Sequence, residues 1–345
     1  MITRNYQMNP KLLKAQEPSN TRILYMAPYA PDFPDFGIKP YDGDGTYPNY
    51  HFNIYKALKD IGYSVHSTSK PYAAFFSKGE VDFVFSLMNR MPFLNAEIFI
   101  SSMCEFLKVP YLGAPPNIRA LAEDKSLSKL AAKALDIPVP PGVVVRPKHL
   151  PGSAPFPGPY FIKDRFGSAS KRITDESFCA SWDIAQRRLR ERVQQGRDLL
   201  LEQFAAGIDV TIPVIGNTEP FILGAVHSCS DRPRSILTED LKVDDHLGYQ
   251  VFDLGNLREP IYADVRKLCA AIGPVDYFRI DFRVEPDTAH WAFLELNICS
   301  HIGRSGAICL AAAEHGLTQG DLLEHIVEYS LLRQLRMREH YKWIL

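Results

Sequence analysis

Near the carboxyl end, two stretches alternate apolar side chains with oxygen-bearing ones. Residues 277–284 read Tyr-Phe-Arg-Ile-Asp-Phe-Arg-Val, and residues 291–298 read Trp-Ala-Phe-Leu-Glu-Leu-Asn-Ile. In an extended chain, successive side chains point to opposite faces. Phe278, Ile280, Phe282 and Val284 then share one face, with Tyr277, Arg279, Asp281 and Arg283 on the other. On the second stretch, Ala292, Leu294, Leu296 and Ile298 form the apolar face, opposite Trp291, Phe293, Glu295 and Asn297. A hairpin centred on Thr288 pairs Asp281 with Glu295 and Arg279 with Asn297. That pairing brings two carboxylates about 5 Å apart, and directly opposed like charges destabilise a sheet. A positive group must sit between them. Arg279 can supply it within a carboxylate–arginine network. A divalent cation can also supply it, because Asp281, Glu295 and the Asn297 amide oxygen are hard ligands suited to Mg²⁺.

Other residues point to anion binding. Lys163 ends an apolar strand and precedes Gly167, Ser168, Ala169 and Ser170, which are small enough for backbone amides to approach an anion. The GxxxxGK[ST] pattern is absent, so this is not a Walker A loop. Lys125 follows Glu-Asp at a helix start. Glu202 interrupts the apolar run Leu199-Leu-Leu-Glu-Gln-Phe204, where a buried acceptor can take an adenine amino group. Asp209 can accept from ribose hydroxyls. Each feature has an ordinary alternative: a solvated lysine, a plain hairpin turn, a salt-bridged glutamate.

Elements must hold these residues in place. Residues 23–27 and 81–87 read as short buried strands, residues 50–61 and 96–107 as helices, with Gly62 just past a helix end. This alternation predicts a small parallel α/β domain over residues 21–115. Residues 127–135 read as a helix barred by Pro138, Pro140 and Pro141. Strands at 143–145, 160–163 and 199–204 and a charged helix near 176–195 complete a second lobe over 116–204. A third, 205–345, holds a strand at 210–215, a long polar stretch at 227–259, a helix at 262–272, the acidic hairpin and terminal helices. Residues 1–20 read as a polar, disordered leader.

Composition narrows the function classes. The formal net charge of −1 across 345 residues gives no global attraction to nucleic acid or an anionic membrane. The run Arg187, Arg188, Arg190, Arg192 is interrupted by acids and lacks interleaved aromatics, which fits a solvated helix face. No apolar run approaches the roughly 20 residues of a membrane helix. Six cysteines without CxxC spacing fit reduced thiols in a cytoplasmic protein.

Taken in order, Lys125, Lys163, the small-residue loop, Glu202, Asp209, Arg279-x-Asp281 and Glu295-x-Asn297 resemble the ATP-grasp superfamily, in its D-alanine–D-alanine ligase-like branch. The resemblance spans about residues 80–335. It implies an α/β (α+β) fold with a Rossmann-like N-terminal domain and ATP held between two α+β lobes. It implies that Lys125 and Lys163 contact ATP phosphates under a lid formed by residues 167–171. Glu202, Gln203 and Phe204 would hold adenine, and Asp209 the ribose. Asp281, Glu295 and Asn297 would bind two Mg²⁺, and Arg279 would steady the transferred phosphoryl group. A carboxylate would be activated as an acylphosphate and attacked by an amine, and the resemblance implies a homodimer through the N-terminal lobe.

The sequence departs from the branch where substrates would bind. It has Ala27-Pro-Tyr-Ala-Pro and Leu87-Met-Asn-Arg90 in the first domain, and Ser170-Lys171 in the phosphate loop. After Asn297 it reads Ile-Cys-Ser-His-Ile-Gly-Arg-Ser-Gly306. These differences imply small-molecule substrates other than a D-alanine pair, in secondary metabolism. His301, Arg304, Ser305 and Gly306 are the candidate substrate contacts, with Cys299 facing the same pocket and Arg232, Arg234 and Lys242 on a loop over it. Two competing functions are a small-molecule phosphotransferase and a non-catalytic nucleotide-binding protein.

Overall fold

The first strand of the computed structural model, β1 (Arg22–Met26), shows how the N-terminal domain is built. Its alternate side chains feed two cores. Ile23 and Tyr25 join one cluster, and Leu24 and Met26 join another on the opposite face. A strand buried on both faces belongs in a parallel sheet covered by helices. Here β1 lies parallel between β2 (Ser64–Thr68) and β3 (Phe83–Ser86). Helix α1 (Tyr47–Ile61) covers one face and α2 (Ala96–Leu107) the other. Gly62 closes α1 with φ 109°, the left-handed cap its position predicts. The structure describes residues 11–31, 46–75, 79–89, 96–167, 170, 172–216, 220–228, 236 and 248–341.

Helices α3 (Pro116–Glu123) and α4 (Lys125–Ala134) follow. Strands β4 (Gly142–Val145), β5 (Tyr160–Asp164), β6 (Phe178–Cys179) and β7 (Leu199–Gln203) form an antiparallel sheet in the order β4-β7-β5-β6. Helix α5 (Trp182–Val193) packs on it through Ala185, Leu189 and Val193. The charged helix is shorter than its sequence predicts, because Thr174 and Ser177 form a capping box around a separate turn first.

The largest sheet contains β8 (Ile208–Ile215), β9 (Phe221–Ile222), β10 (Val226–Ser228), β11 (Tyr249–Val251), β12 (Tyr277–Glu285) and β13 (His290–Asn297). Its order is β11-β10-β8-β12-β13, with β9 on β8. Helix α6 (Arg258–Ile272) covers one face. Helices α7 (Ala307–Ala313) and α8 (Gln319–Tyr341) follow, and α8 runs back against α1. Among the described residues, no helix is long and apolar enough to cross a membrane.

Two boundaries differ from those read in the sequence. Ala122, Ala132 and Ile137 pack into the core of the six-stranded sheet, so α3 and α4 belong structurally with the C-terminal lobe. The four-stranded sheet has its own core of Val145, Ile162, Leu199 and Leu201. Residues 11–20 are docked, although a disordered leader was expected through residue 20. The Leu13 amide donates to His325 Nδ1 at 2.9 Å, and Lys14 pairs with Asp321 and Glu324 at 2.6 and 2.8 Å. Leu12 and Ala15 pack against the N-terminal core.

Candidate active site

Asp124 joins the two parts expected to bind phosphate. As the N-cap of α4 it accepts from the Ser126 and Leu127 amides at 3.0 and 3.2 Å, satisfying donors that a helix start leaves open. The same carboxylate holds Arg165 at 2.6 Å, and the Lys125 amide donates to the Arg165 carbonyl at 3.0 Å. The chain after β5 is thereby clamped to the start of α4. The Lys125 ammonium donates to the Gly167 carbonyl. Gly167 has φ 95°, a conformation glycine adopts at low cost. Burial pulls the Lys125 pKa down, against Glu295 at 4.0 Å. Ser170 follows in the same loop with φ 55° and lines the cavity. Ser168, Ala169, Lys171, Arg232, Arg234 and Lys242 lie outside the described residues.

Glu202 occupies a position different from the one its strand suggests. It is 2% exposed and lies between two ammonium groups, Lys163 at 2.7 Å and Lys129 at 2.9 Å. Burial disfavours its charge, but the lysines outweigh burial and hold its pKa below the ordinary value. Lys129, also donating to the Phe293 carbonyl at 3.0 Å, is pushed down to about 8, chiefly by burial. The carboxylate is therefore already engaged by two lysines. The hinge amides are engaged as well: Gln203 N donates to Pro141 O and Phe204 N to Pro159 O, both at 2.8 Å. An apolar slot remains beside them. Phe161 and Phe178 stand 6.2 and 5.0 Å from the Phe204 ring, and Phe161, Phe204, Pro140 and Leu294 line the cavity.

The hairpin register matches the parity argument at its functional end. Asp281 pairs with Glu295 and Arg279 with Asn297. A bulge then follows, and Phe282 pairs with Phe293. The extra residue is Leu294. As a result Phe293 turns into the core, while Leu294 leaves the apolar face and lines the cavity. Bulges re-aim side chains in this way beside functional sites. Asp281 accepts from Thr211 Oγ1 and from Asn297 Nδ2, each at 2.8 Å. Arg279 Nε lies 3.7 Å from Asp281. Burial opposes its charge, yet Asp281, then Tyr249 and Glu295, raise its pKa above the ordinary value.

Among the described residues, no group of three or more His, Cys, Asp or Glu side chains could hold a metal. The set here is two carboxylates and an amide. With Nδ2 donating to Asp281, the Asn297 Oδ1 is left as an acceptor, so the donor chemistry fits a hard cation. Asp209 lines the cavity and pairs with Arg283 at 3.0 Å. Arg283 also donates to the carbonyls of Ala205 and Gly207 and lies over the Phe204 ring at 5.5 Å.

One cavity collects Lys163, Ser170, Glu202, Gln203, Phe204, Asp209, Arg279, Asp281 and Glu295. Its lining does not include His301, Arg304, Ser305 or Gly306. His301 stacks on Tyr50 with ring centroids 3.9 Å apart and lies over Gly303 and Gly306, where an added Cβ would stand 2.3 and 2.7 Å from its ring. Arg304 is exposed and donates to Gln319 at 3.1 Å, and Ser305 is exposed. Cys299 instead accepts from the buried Arg119 at 3.0 Å. Lys129, Thr211 and Arg283 were missed in the sequence. Only Lys129 carried a signal, its four-residue spacing from Lys125, which stacks them on one helix face.

No protein-family model matches the chain. A D-alanine–D-alanine ligase of Carboxydothermus hydrogenoformans is 23% identical over 288 residues, covering 81% of this chain and 91% of the relative. The ligase of the same name from Xanthobacter autotrophicus is 25% identical over 290 residues, with the same coverage of 81% and 91%. The crystal structure of a D-alanine–D-alanine ligase from Bacillus anthracis complexed with ATP superposes with a TM-score of 0.69 at 14% identity, covering 92% of this chain and 99% of that one. Over most of its length the chain is thus similar to D-alanine–D-alanine ligases, and it shares their ATP-grasp fold.

Proposed function

We propose that this ligase uses MgATP to activate a substrate carboxylate as an acylphosphate, then couples it to an amine with release of ADP and phosphate. The observation that carries the reading is the single cavity in which Lys163, Arg279, Asp281 and Glu295 converge beside an apolar slot. The slot formed by Phe161, Phe204 and Leu294 suits a flat base, and Asp209 at its edge suits the ribose. Lys125, Lys163 and the loop from Gly167 to Lys171 hold the phosphates. Glu202 fixes Lys163 and Lys129 in place, so it supports the phosphate site instead of reading the base.

Phosphoryl transfer is mainly a matter of positioning and charge neutralisation. A carboxylate oxygen attacks the γ-phosphorus as the bond to the β,γ-bridging oxygen breaks and ADP leaves. Asp281, Glu295 and Asn297 would hold Mg²⁺, as two ions, which would neutralise phosphate charge during transfer. Arg279 faces the same charge from β12. The amine then attacks the acyl carbon, the bond from that carbon to the phosphate oxygen breaks, and the amine loses a proton. Acylphosphates hydrolyse, which gives a closing loop over the cavity a purpose.

The substrates we assign are amino acids or small acids other than a D-alanine pair, because residues 298–306 are occupied by the His301–Tyr50 stack. The test is incubation with MgATP and mixed amino acids. ADP and phosphate released only when both acid and amine are present supports the ligase. AMP with pyrophosphate rules out the acylphosphate, and a stable phosphorylated product would make the protein a phosphotransferase.

A further inference from the structure

The cavity has more wall than the nucleotide and metal residues occupy. Its remaining lining includes Thr211, Ser228, Ile236 and Tyr249 beside Arg279. Thr211 is committed to Asp281. Ser228 is different. It ends β10 directly opposite Tyr249 of β11, is 9% exposed, and its hydroxyl has no hydrogen-bond partner among the described residues. Burying a hydroxyl without a partner costs stability. A strand that carries one into a cavity wall points to a ligand that completes it. Arg279 Nε is a second buried donor on the same wall, with no hydrogen-bond partner among the described residues and Asp281 at ion-pair distance, 3.7 Å. Arg279 also donates to the Tyr249 hydroxyl. A phenol that accepts in this way keeps its own proton to donate.

The wall thus offers donors from three strands, and the carboxylate beside them, Asp281, lies 3.7 Å from Arg279 Nε, beyond hydrogen-bond reach. That chemistry selects an oxyanion. It does not coincide with the metal-side phosphates. Asp281 and Glu295 lie on β12 and β13, whereas Ser228 lies on β10, with β8 between. Two strand spacings place it on the order of 10 Å across the sheet from β12. We propose that Ser228 and Tyr249, acting with Arg279, are specificity-determining residues that position an anionic carboxylate of a substrate. The proposal rests on the ligase reading above.

The test measures ADP release at saturating MgATP while a mixture of free amino acids is titrated. For Ser228→Ala, the half-saturating concentration should rise about tenfold or more, as expected for losing a hydrogen bond to a charged group. Ser228→Thr should restore it, and Tyr249→Phe should shift it in the same direction as Ser228→Ala. Affinity for a fluorescent ATP analogue should stay unchanged in all three. Ser228→Ala should melt no lower than wild type, since it removes an unsatisfied hydroxyl. Unchanged half-saturation overturns the proposal. Weakened nucleotide affinity also overturns it, because the hydroxyl would then be reading phosphate. If the wild type releases no ADP with any amino acid, the ligase reading fails. The subsite is then decided by thermal shift with the same mixture plus Mg²⁺ and a non-hydrolysable ATP analogue. A shift lost in Ser228→Ala supports it. An equal shift in both proteins, or none in the wild type, sinks it.

Discussion

The Lys129 ammonium stands 2.9 Å from the Glu202 carboxylate, and the pair joins α4 to the four-stranded sheet away from solvent. Because Lys163 shares the same carboxylate at 2.7 Å, one buried acid holds two cations from two elements. Removing the acid strands both. Glu202→Gln should cost about 3 kcal/mol or more, the scale for breaking a buried pair by removing one partner. Urea unfolding of the two proteins at neutral pH measures it.

The same acid gives a pH signature. Its folded pKa lies below the ordinary 4.5, so its stabilisation is complete above that value and is lost as pH falls through the lower, folded value. The acid limb of a stability profile below about pH 4.5 should be shallower in Glu202→Gln than in wild type. Parallel limbs would show that Glu202 is not ionised in the folded protein.

His325 makes a prediction with the opposite chemistry. Burial pushes its pKa from 6.5 to about 4, and its neutral Nδ1 accepts the Leu13 amide. At pH above 6.5 the folded and unfolded states both hold it neutral. As pH falls from 6.5 toward 4, only the unfolded state gains the proton, so the folded state loses stability. The loss should total roughly 3 kcal/mol over that window. His325→Gln should remove this part of the slope in thermal melts from pH 7 to 4, and the protection factor of the Leu13 amide, its exchange rate corrected for the intrinsic pH dependence, should fall in wild type over the same range.

Glu295→Ala should reduce ADP release by at least about a hundredfold while leaving the fold intact, since Glu295 is partly exposed and its loss uncovers no core. Nucleotide binding measured with excess chelator should be unchanged. Turnover at the wild-type rate would remove Glu295 from the metal set.

Deleting Leu294 probes the bulge. Without the extra residue, the ladder can run unbroken with Glu295 still opposite Asp281 and Phe293 still opposite Phe282, so circular dichroism should show the sheet retained. What is lost is the apolar side chain that Leu294 places in the cavity wall, so the shortened protein should bind a fluorescent ATP analogue more weakly. Unchanged affinity would show that Leu294 is not part of the slot.

Much of the acidic hairpin was legible in the sequence, because a period of two and a short turn fix which residues oppose each other. Its bulge was not. Phe293 and Leu294 are both apolar, so no break in polarity marks the place where the faces exchange. Strand β2 went unread because Ser64-Val-His-Ser-Thr68 has no apolar run, and its place comes from pairing with β1. The burial of Lys129 depends on β7 and β13 folding over α4, which no local pattern encodes. The docking of residues 11–20 likewise depends on α8, some three hundred positions away.

The four-stranded sheet has a core of its own, and its first and last strands pair directly, Gly142 opposite Glu202. Chain enters and leaves it side by side. Such an arrangement is topologically an insertion: a continuous segment set into a host whose own elements meet without it. Contacts within the segment are close in sequence, so its sheet can assemble early, ahead of the long-range pairing of α8 with α1. The order of assembly then mirrors the division of labour. The piece that brings Lys163 and Glu202 to the cavity is organised locally, and the host supplies Lys129, Asp281 and Glu295 only when the whole chain has closed.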